Sequence, residues 1–246
     1  MTIRDLKGTV EDKIPVINVL VSVSDKTGLE ELIPGLVKVQ PDLVIMSTGG
    51  TYKTIKGILG SSASKHLIEV AEYTESPEME GGLVKTLHPK IHAGILGERN
   101  NPSHRAYLQT QLGGAVYIDM VVANLYPFQD VVSKIQAGET NPKTGKPYDV
   151  ESARGNIDIG GPAMIRGAAK NFPSCAVVCN PADYADVLQT IQENDGCTTF
   201  DHRMQLAPKA FEMTAAYDLA IALYMAKETQ WNPQTVRECY TFSDTR

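Results

Sequence analysis

The residues best equipped to hold an anion sit in two short loops, Ser22-Val23-Ser24-Asp25-Lys26-Thr27-Gly28 and Thr48-Gly49-Gly50-Thr51. Hydroxyls, backbone N–H groups and, at Lys26, a positive charge at the start of a helix are the means by which proteins hold phosphate. Either loop alone is weak evidence, since a Gly-Gly turn after a strand is most often only a tight connection. Two of them on neighbouring strands would aim two helix N-termini into one crevice.

Residues 77–94, PEMEGGLVKTLHPKIHAG, join a glycine pair to a Lys-Thr step, Lys85-Thr86, and to two histidines four apart, His88 and His92. Metal ligation by that pair needs a third ligand and a helix or tight loop, and Pro89 between them breaks a helix. Structural or substrate-contacting histidines are therefore expected, and no metal site is assigned. Asn124-Leu125-Tyr126-Pro127-Phe128 closes a strand, which brings Tyr126 to its carboxyl end; a tyrosine packed there with its hydroxyl bonded locally is the other reading. In Asn156-Ile157-Asp158-Ile159-Gly160-Gly161-Pro162, Asp158 stands at a glycine-rich helix entry. Arg166 and Lys170 follow at i and i+4 on one helix face. A cationic face is usually solvated. Among Ala163, Met164, Ile165, Ala168 and Ala169, however, Lys170 is expected to be partly buried, with the lowered pKa that suits proton transfer near neutral pH.

The elements that must position these groups read as strand, loop and helix, twice over. Pro15 to Ser24 is apolar and β-branched and leads into a helix over Leu29 to Val39; Thr27 with Glu30 three positions on predicts a capping box at its start. Leu43 to Ser47 is a second buried strand, followed by a short helix near Tyr52 to Ile58. Two such units predict an α/β fold with a parallel sheet flanked by helices, right-handed crossovers and loops gathered at the strands' carboxyl ends. Further strands are expected at Leu67 to Val70, Ala93 to Leu96, Met120 to Asn124 and Ala176 to Cys179, with helices near Ser103 to Leu112 and Pro162 to Asn171. Gly138 to Asp149 reads as a solvent loop, and Asn180-Pro181 starts a helix that runs to about Asn194. A strongly helical tail follows to about Glu228, so one domain over 1–200 with a helical extension over 201–246 is the economical division.

The chain has 246 residues, 42% hydrophobic and 21% charged, with a formal net charge of −6. That is an ordinary globular composition, and its acidity argues against a nucleic-acid or anionic-membrane surface. No apolar stretch approaches the roughly 18 residues of a membrane span, and no signal peptide is read at the start. The four cysteines lack zinc-site spacing; Cys175 and Cys179 flank an apolar run and read as packed thiols in a reducing cytoplasm.

Taken together, VSVSDKTGLEEL, STGGT, PEMEGGLVKTLHPKIHAGIL, VVANLYPF, NIDIGGPAMIRGAAKN and VVCNPADY resemble one family closely: the IMP cyclohydrolase domain of bifunctional purine-biosynthesis proteins that also carry an aminoimidazole carboxamide ribonucleotide transformylase. The likeness runs from about Val19 to Tyr184, and LAPKAFEMTAAYDLAIALY extends it. It implies a methylglyoxal synthase-like fold. It also implies a nucleotide site drawn from Ser24, Asp25, Lys26, Thr48, Gly49, Gly50, Thr51, Val84, Lys85, Thr86, Ala123, Asn124, Asp158, Ile159, Gly160 and Gly161. Lys85, Tyr126, Asp158 and Lys170 fall on positions the family uses for catalysis. Two departures stand out: Leu83 replaces the family's usual Arg, and Thr48 its usual Ser.

The implied reaction closes the ring of 5-formamidoimidazole-4-carboxamide ribonucleotide (FAICAR) to IMP plus water. Asp158 with Lys170 would relay the proton, and Lys85, Tyr126 and the Gly160 and Gly161 amides would steady the oxyanion. No step needs a metal, a nicotinamide or ATP, so no cofactor is expected. The resemblance further implies a cytoplasmic homodimer, with the transformylase activity supplied by a separate protein or a missing half. Two alternatives are a methylglyoxal synthase-type lyase and a non-catalytic phosphate-ligand sensor of the same fold. The first must explain about 90 residues beyond a domain of roughly 150, the second why all four chemically apt side chains are present.

Overall fold

The structure, a computed structural model, describes residues 9–77, 79, 84–142, 144–227 and 231–242. In chain order its strands and α-helices are β1 (Ile14–Pro15), β2 (Asn18–Ser22), α1 (Leu29–Val39), β3 (Val44–Ser47), α2 (Gly49–Leu59), α3 (Ala63–His66), β4 (Leu67–Glu69), α4 (Val70–Thr74), α5 (Pro89–Leu96) and α6 (Pro102–Ala106). There follow β5 (Met120–Ala123), α7 (Phe128–Gln136), α8 (Val150–Gly155), α9 (Gly160–Lys170), β6 (Ala176–Val178), α10 (Tyr184–Glu193), β7 (Cys197–Thr198), α11 (Phe200–Met225) and α12 (Pro233–Glu238).

Packing divides the chain into two compact units, Met1–Leu125 with Gly160–Glu212, and Tyr126–Ile159 with Met213–Arg246. The partition read from sequence, 1–200 and 201–246, differs from this one because helical periodicity marks where α11 starts and not which neighbours its residues pack against. Residues 200–212 of α11 count with the first unit and 213–225 with the second.

In the first unit five strands form an all-parallel sheet in the order β4-β3-β2-β5-β6. Val19, Leu20, Val21 and Met120 to Ala123 are fully buried, as the continuous apolar runs of a sheet covered on both faces require. The chain starts in the middle at β2, moves outward through β3 and β4, then returns to lay β5 on the other side of β2. That reversal sits between β2 and β5, where open parallel sheets bind their ligands. Below it, at the amino ends of the same strands, the buried Asp119 carboxylate accepts the N–H groups of Ile17 (2.8 Å) and Asn18 (2.5 Å).

A two-stranded antiparallel ribbon, β1 with β7, closes the first unit. Arg203 is wholly buried beside it and donates to the carbonyl oxygens of Glu11, Asp12, Phe172, Pro173 and Thr198 at 2.8 to 3.2 Å. In the second unit Phe128 packs edge-on against Tyr217 and Tyr224, with Ala153 completing the buried cluster.

Three local expectations are corrected. Ala93 to Leu96 is the end of a helix, α5, and not a strand. Pro89 is its first residue, where no N–H is needed, and His88 caps it by accepting the Lys90 N–H on Nδ1 at 3.1 Å. Thr27 does not cap α1. The cap is Gly28, left-handed at φ 77°, and a Cβ there would press on the Tyr184 ring at 3.0 Å; Thr27 instead gives both its N–H and its hydroxyl to Asp25 Oδ1. The helix expected over Ser103 to Leu112 is α6 continued by a π-helical stretch, Tyr107–Gln111. The Cys175 and Cys179 thiols are buried as expected, and burial pushes them up to about 12 and about 11 respectively.

Candidate functional site

The loop after β2 is held rigid by side chains from two neighbouring strands' loops. Thr51 Oγ1 donates to Val23 O (2.9 Å) and accepts the Val23 N–H (3.2 Å). Asn124, just past β5, accepts the N–H groups of Ser24 (2.7 Å) and Asp25 (2.9 Å) on Oδ1 and donates through Nδ2 to Asp25 O (2.8 Å). The Asp25 carboxylate turns back on Thr27, whose N–H and hydroxyl hold its pKa below the usual value. The aspartate thus shapes the loop, and Lys26 is left as the loop's cation.

Lys26 Nζ donates to Ser24 O at 3.2 Å and would stand 4.0 Å from a Cβ on Gly50. Lys85 reaches the same turn: its Nζ would lie 3.0 Å from a Cβ on Gly49, a residue already left-handed at φ 49°. Two ammonium groups therefore converge on the first residues of α2. That helix has no acidic residue in its first turn, and the Thr48 side chain does not cap it. N–H groups, the positive end of the helix dipole and two lysines together make an anion site. The Thr51 hydroxyl, expected to face the ligand, is occupied with Val23 and acts on the loop.

The third segment meets α9. Thr86 is buried, and its Oγ1 would stand 2.9 Å from a Cβ on Gly160, so the glycine at the start of α9 makes room for that hydroxyl. Gly161 is buried behind it. Val84, beside Lys85, is 57% exposed with φ 58°, a left-handed conformation that costs a β-branched residue of the order of 1 to 3 kcal/mol. Ala123, the last residue of β5, is fully buried and pairs with Ser22. Leu83 lies outside the described residues.

Lys170 departs from its expectation: it is exposed, not partly buried. It ends α9, ten residues and about 15 Å of helix axis from Gly160. The apolar residues around it in sequence face the other way, with Met164, Ile165, Ala168 and Ala169 buried. His88 is spent on the cap of α5, and burial lowers the pKa of His92.

In the second unit Tyr126 and Ile159 are exposed. Asp158 sits on a loop fastened by a residue that the sequence did not single out. Tyr217 Oη accepts the Asp158 N–H (2.9 Å) and donates to Asn156 O (2.7 Å), and burial raises the pKa of that phenol. Fifty-nine residues separate Asp158 and Tyr217, so no local signal could have joined them.

The fold defines a class: a parallel α/β protein with two lysines gathered beside a helix start at the carboxyl ends of its strands. A family model described as AICARFT/IMPCHase bienzyme matches residues 168–245. The bifunctional purine biosynthesis protein PurH of Magnetococcus marinus is 43% identical over 225 residues, 90% of this chain and 38% of that one. PurH of Chlorobium phaeovibrioides is 46% identical over 208 residues, 85% of this chain and 36% of that one. Among solved structures, the crystal structure of ForH matches with a TM-score of 0.65 and 32% identity, covering 84% of this chain and 95% of that chain. The likeness to the two PurH proteins covers 85% to 90% of this chain, which spans less than two fifths of their length.

Proposed function

We propose that the chain is an IMP cyclohydrolase, closing the ring of FAICAR to give IMP and water. The observation that carries the reading is the convergence of Lys26 and Lys85 on the start of α2, braced by Asn124, in a chain that shares 43% identity with PurH over 90% of its length. A ribonucleotide phosphate suits that cradle. Lys26, Lys85, the Ser24 and Thr48 hydroxyls and the amides of Gly49, Gly50 and Thr51 are its donors, and Thr86 and the start of α9 flank it. Of the three readings open to the sequence, the cyclohydrolase is the one the family favours.

Ring closure joins the carboxamide nitrogen to the formyl carbon. The carboxamide nitrogen loses one proton on attack and the formamide nitrogen a second as its bond to the former formyl carbon becomes C=N, while the C–O bond breaks and the oxygen leaves with both protons as water. Holding the two groups close and coplanar removes most of the orientational cost. We assign proton transfer to Asp158 or to Lys170, which fall on positions the family uses for catalysis but stand at opposite ends of α9 and so act separately, and donation to the developing oxyanion to Lys85, Tyr126 and the Gly160 and Gly161 amides. Val84, Ala123 and Ile159 present backbone to the nucleotide. The protein is further proposed to act in the cytoplasm as a homodimer, with the transformylase reaction supplied elsewhere. Among the described residues no helix is long and apolar enough to cross a membrane. Incubating the purified chain with FAICAR and following the hypoxanthine ultraviolet spectrum tests the reading; no spectral change would refute it.

A further inference from the structure

At the amino ends of β2 and β5 the first unit holds a cavity of about 220 Å³. It lies at the opposite end of the sheet from the lysine cradle, about 16 Å away along the five residues of β2. We propose that this cavity is a second binding site, taking a small carboxylate carried on a flat apolar body.

Its cations are held in place. The Arg99 guanidinium is fixed by an ion pair to Asp119, by a hydrogen bond from Nε to Ser174 O (3.3 Å) and by the Tyr117 ring, 5.2 Å from its centre. Arg105 stands beside it, one of its N–H groups donating to Arg99 O at 3.1 Å. Among the described residues the one carboxylate in the lining, Asp119, already accepts two backbone N–H groups and Arg99, so it is not available to a ligand cation. Two arginines against one aspartate leave a single positive charge, matched to a monoanion, and planar guanidinium groups suit a planar carboxylate.

The walls specify the rest of the ligand. Ile17, Leu108 and Val116 line an apolar side, and Ile17 is 39% exposed although it immediately precedes a buried strand. Leu108 and Gln109 come from the π-helical stretch Tyr107–Gln111, a rare conformation that recurs at functional sites. The volume falls below the usual cleft of about 300 to 1,000 Å³, so one ring and one carboxylate fill it.

Calorimetric titration of the full chain with sodium benzoate tests this. Saturable millimolar binding is expected, weakened about tenfold by Arg105→Gln through loss of a charge-assisted bond, and by Gln109→Glu through repulsion. Both positions are exposed, so melting temperatures should match the parent. Saturating IMP should leave benzoate binding unchanged, and inorganic phosphate should not compete. The proposal is overturned by absence of saturable binding, by variants that bind like the parent, by displacement with IMP, or by phosphate binding as tightly as benzoate.

Discussion

Asn124 bonds the backbone of Asp25 from both sides, its Oδ1 accepting the Asp25 N–H at 2.9 Å and its Nδ2 donating to the Asp25 carbonyl at 2.8 Å. One amide side chain thus stitches the loop after β5 to the loop after β2 across the reversal of the sheet. Lys26, the next residue, takes its place over α2 as a consequence. At the amino ends of the same two strands Asp119 makes the equivalent tie to Ile17 and Asn18.

Asn124→Leu removes one acceptor and one donor that serve three backbone groups. The Ser24 and Asp25 amides lose their partner and the loop loosens. IMP affinity should fall about tenfold or more, the equivalent of at least about 1.4 kcal/mol, with the circular dichroism spectrum unchanged. Calorimetry reads both affinity and stoichiometry; an unaltered dissociation constant would detach Asn124 from the cradle.

The parallel sheet was legible because its strands are short apolar runs alternating with amphipathic helices, and α1 was legible across Pro34 because Leu29, Leu32, Ile33 and Leu36 keep one face buried. Residues 93–96 misled for the same reason: a short apolar run does not distinguish a strand from a buried helix turn. There His88-Pro89 is the deciding signal: proline breaks a helix it interrupts but starts one when a cap precedes it. The loop chemistry of Lys26 and Lys85 was visible as residue types. Its geometry was not, because it rests on contacts such as Asn124 to Asp25, 99 positions apart. The exposure of Lys170 is not legible from its apolar sequence neighbours, because on a helix they occupy a different face from the residue they flank.

Arg203→Met should destabilise the chain by about 3 to 5 kcal/mol, since the carbonyls of Glu11, Asp12, Phe172, Pro173 and the buried Thr198 lose a shared, wholly buried donor. Urea unfolding gives the number. A loss below about 1 kcal/mol would show that these carbonyls find other partners.

His92 makes stability depend on pH. Burial lowers its pKa, and among the described residues its buried Nε2 has no hydrogen-bond partner. The unfolded chain, with an ordinary value of about 6.5, therefore binds the proton first. The stabilising contribution is full above that value and is lost as pH falls through the folded pKa. The loss proceeds at no more than about 1.4 kcal/mol per pH unit for one proton. Urea midpoints at pH 7.5 and 5 should differ less in His92→Phe than in the parent; an identical slope would exonerate His92.

Tyr217→Phe should slow turnover about tenfold while leaving KM near the parental value, because the hydroxyl that fixes the Asp158 loop acts on positioning and not on nucleotide binding. Steady-state kinetics separates the two constants. A rise in KM with unchanged kcat would place Tyr217 in binding.

Lys170→Ala should cut turnover by about 10² or more with little change in IMP affinity, the signature of a proton-transfer group. Retention of more than half the parental rate would remove Lys170 from the reaction, consistent with its exposed place at the end of α9.

The central claim is tested most directly by adding the purified chain to FAICAR and recording the ultraviolet spectrum, alongside Lys26→Ala and Lys85→Ala. The account predicts growth of the hypoxanthine band with the parent. Each variant should lower kcat/KM about tenfold or more, as loss of a charged contact to the nucleotide requires. No band with the parent, or parental rates in both lysine variants, would contradict it.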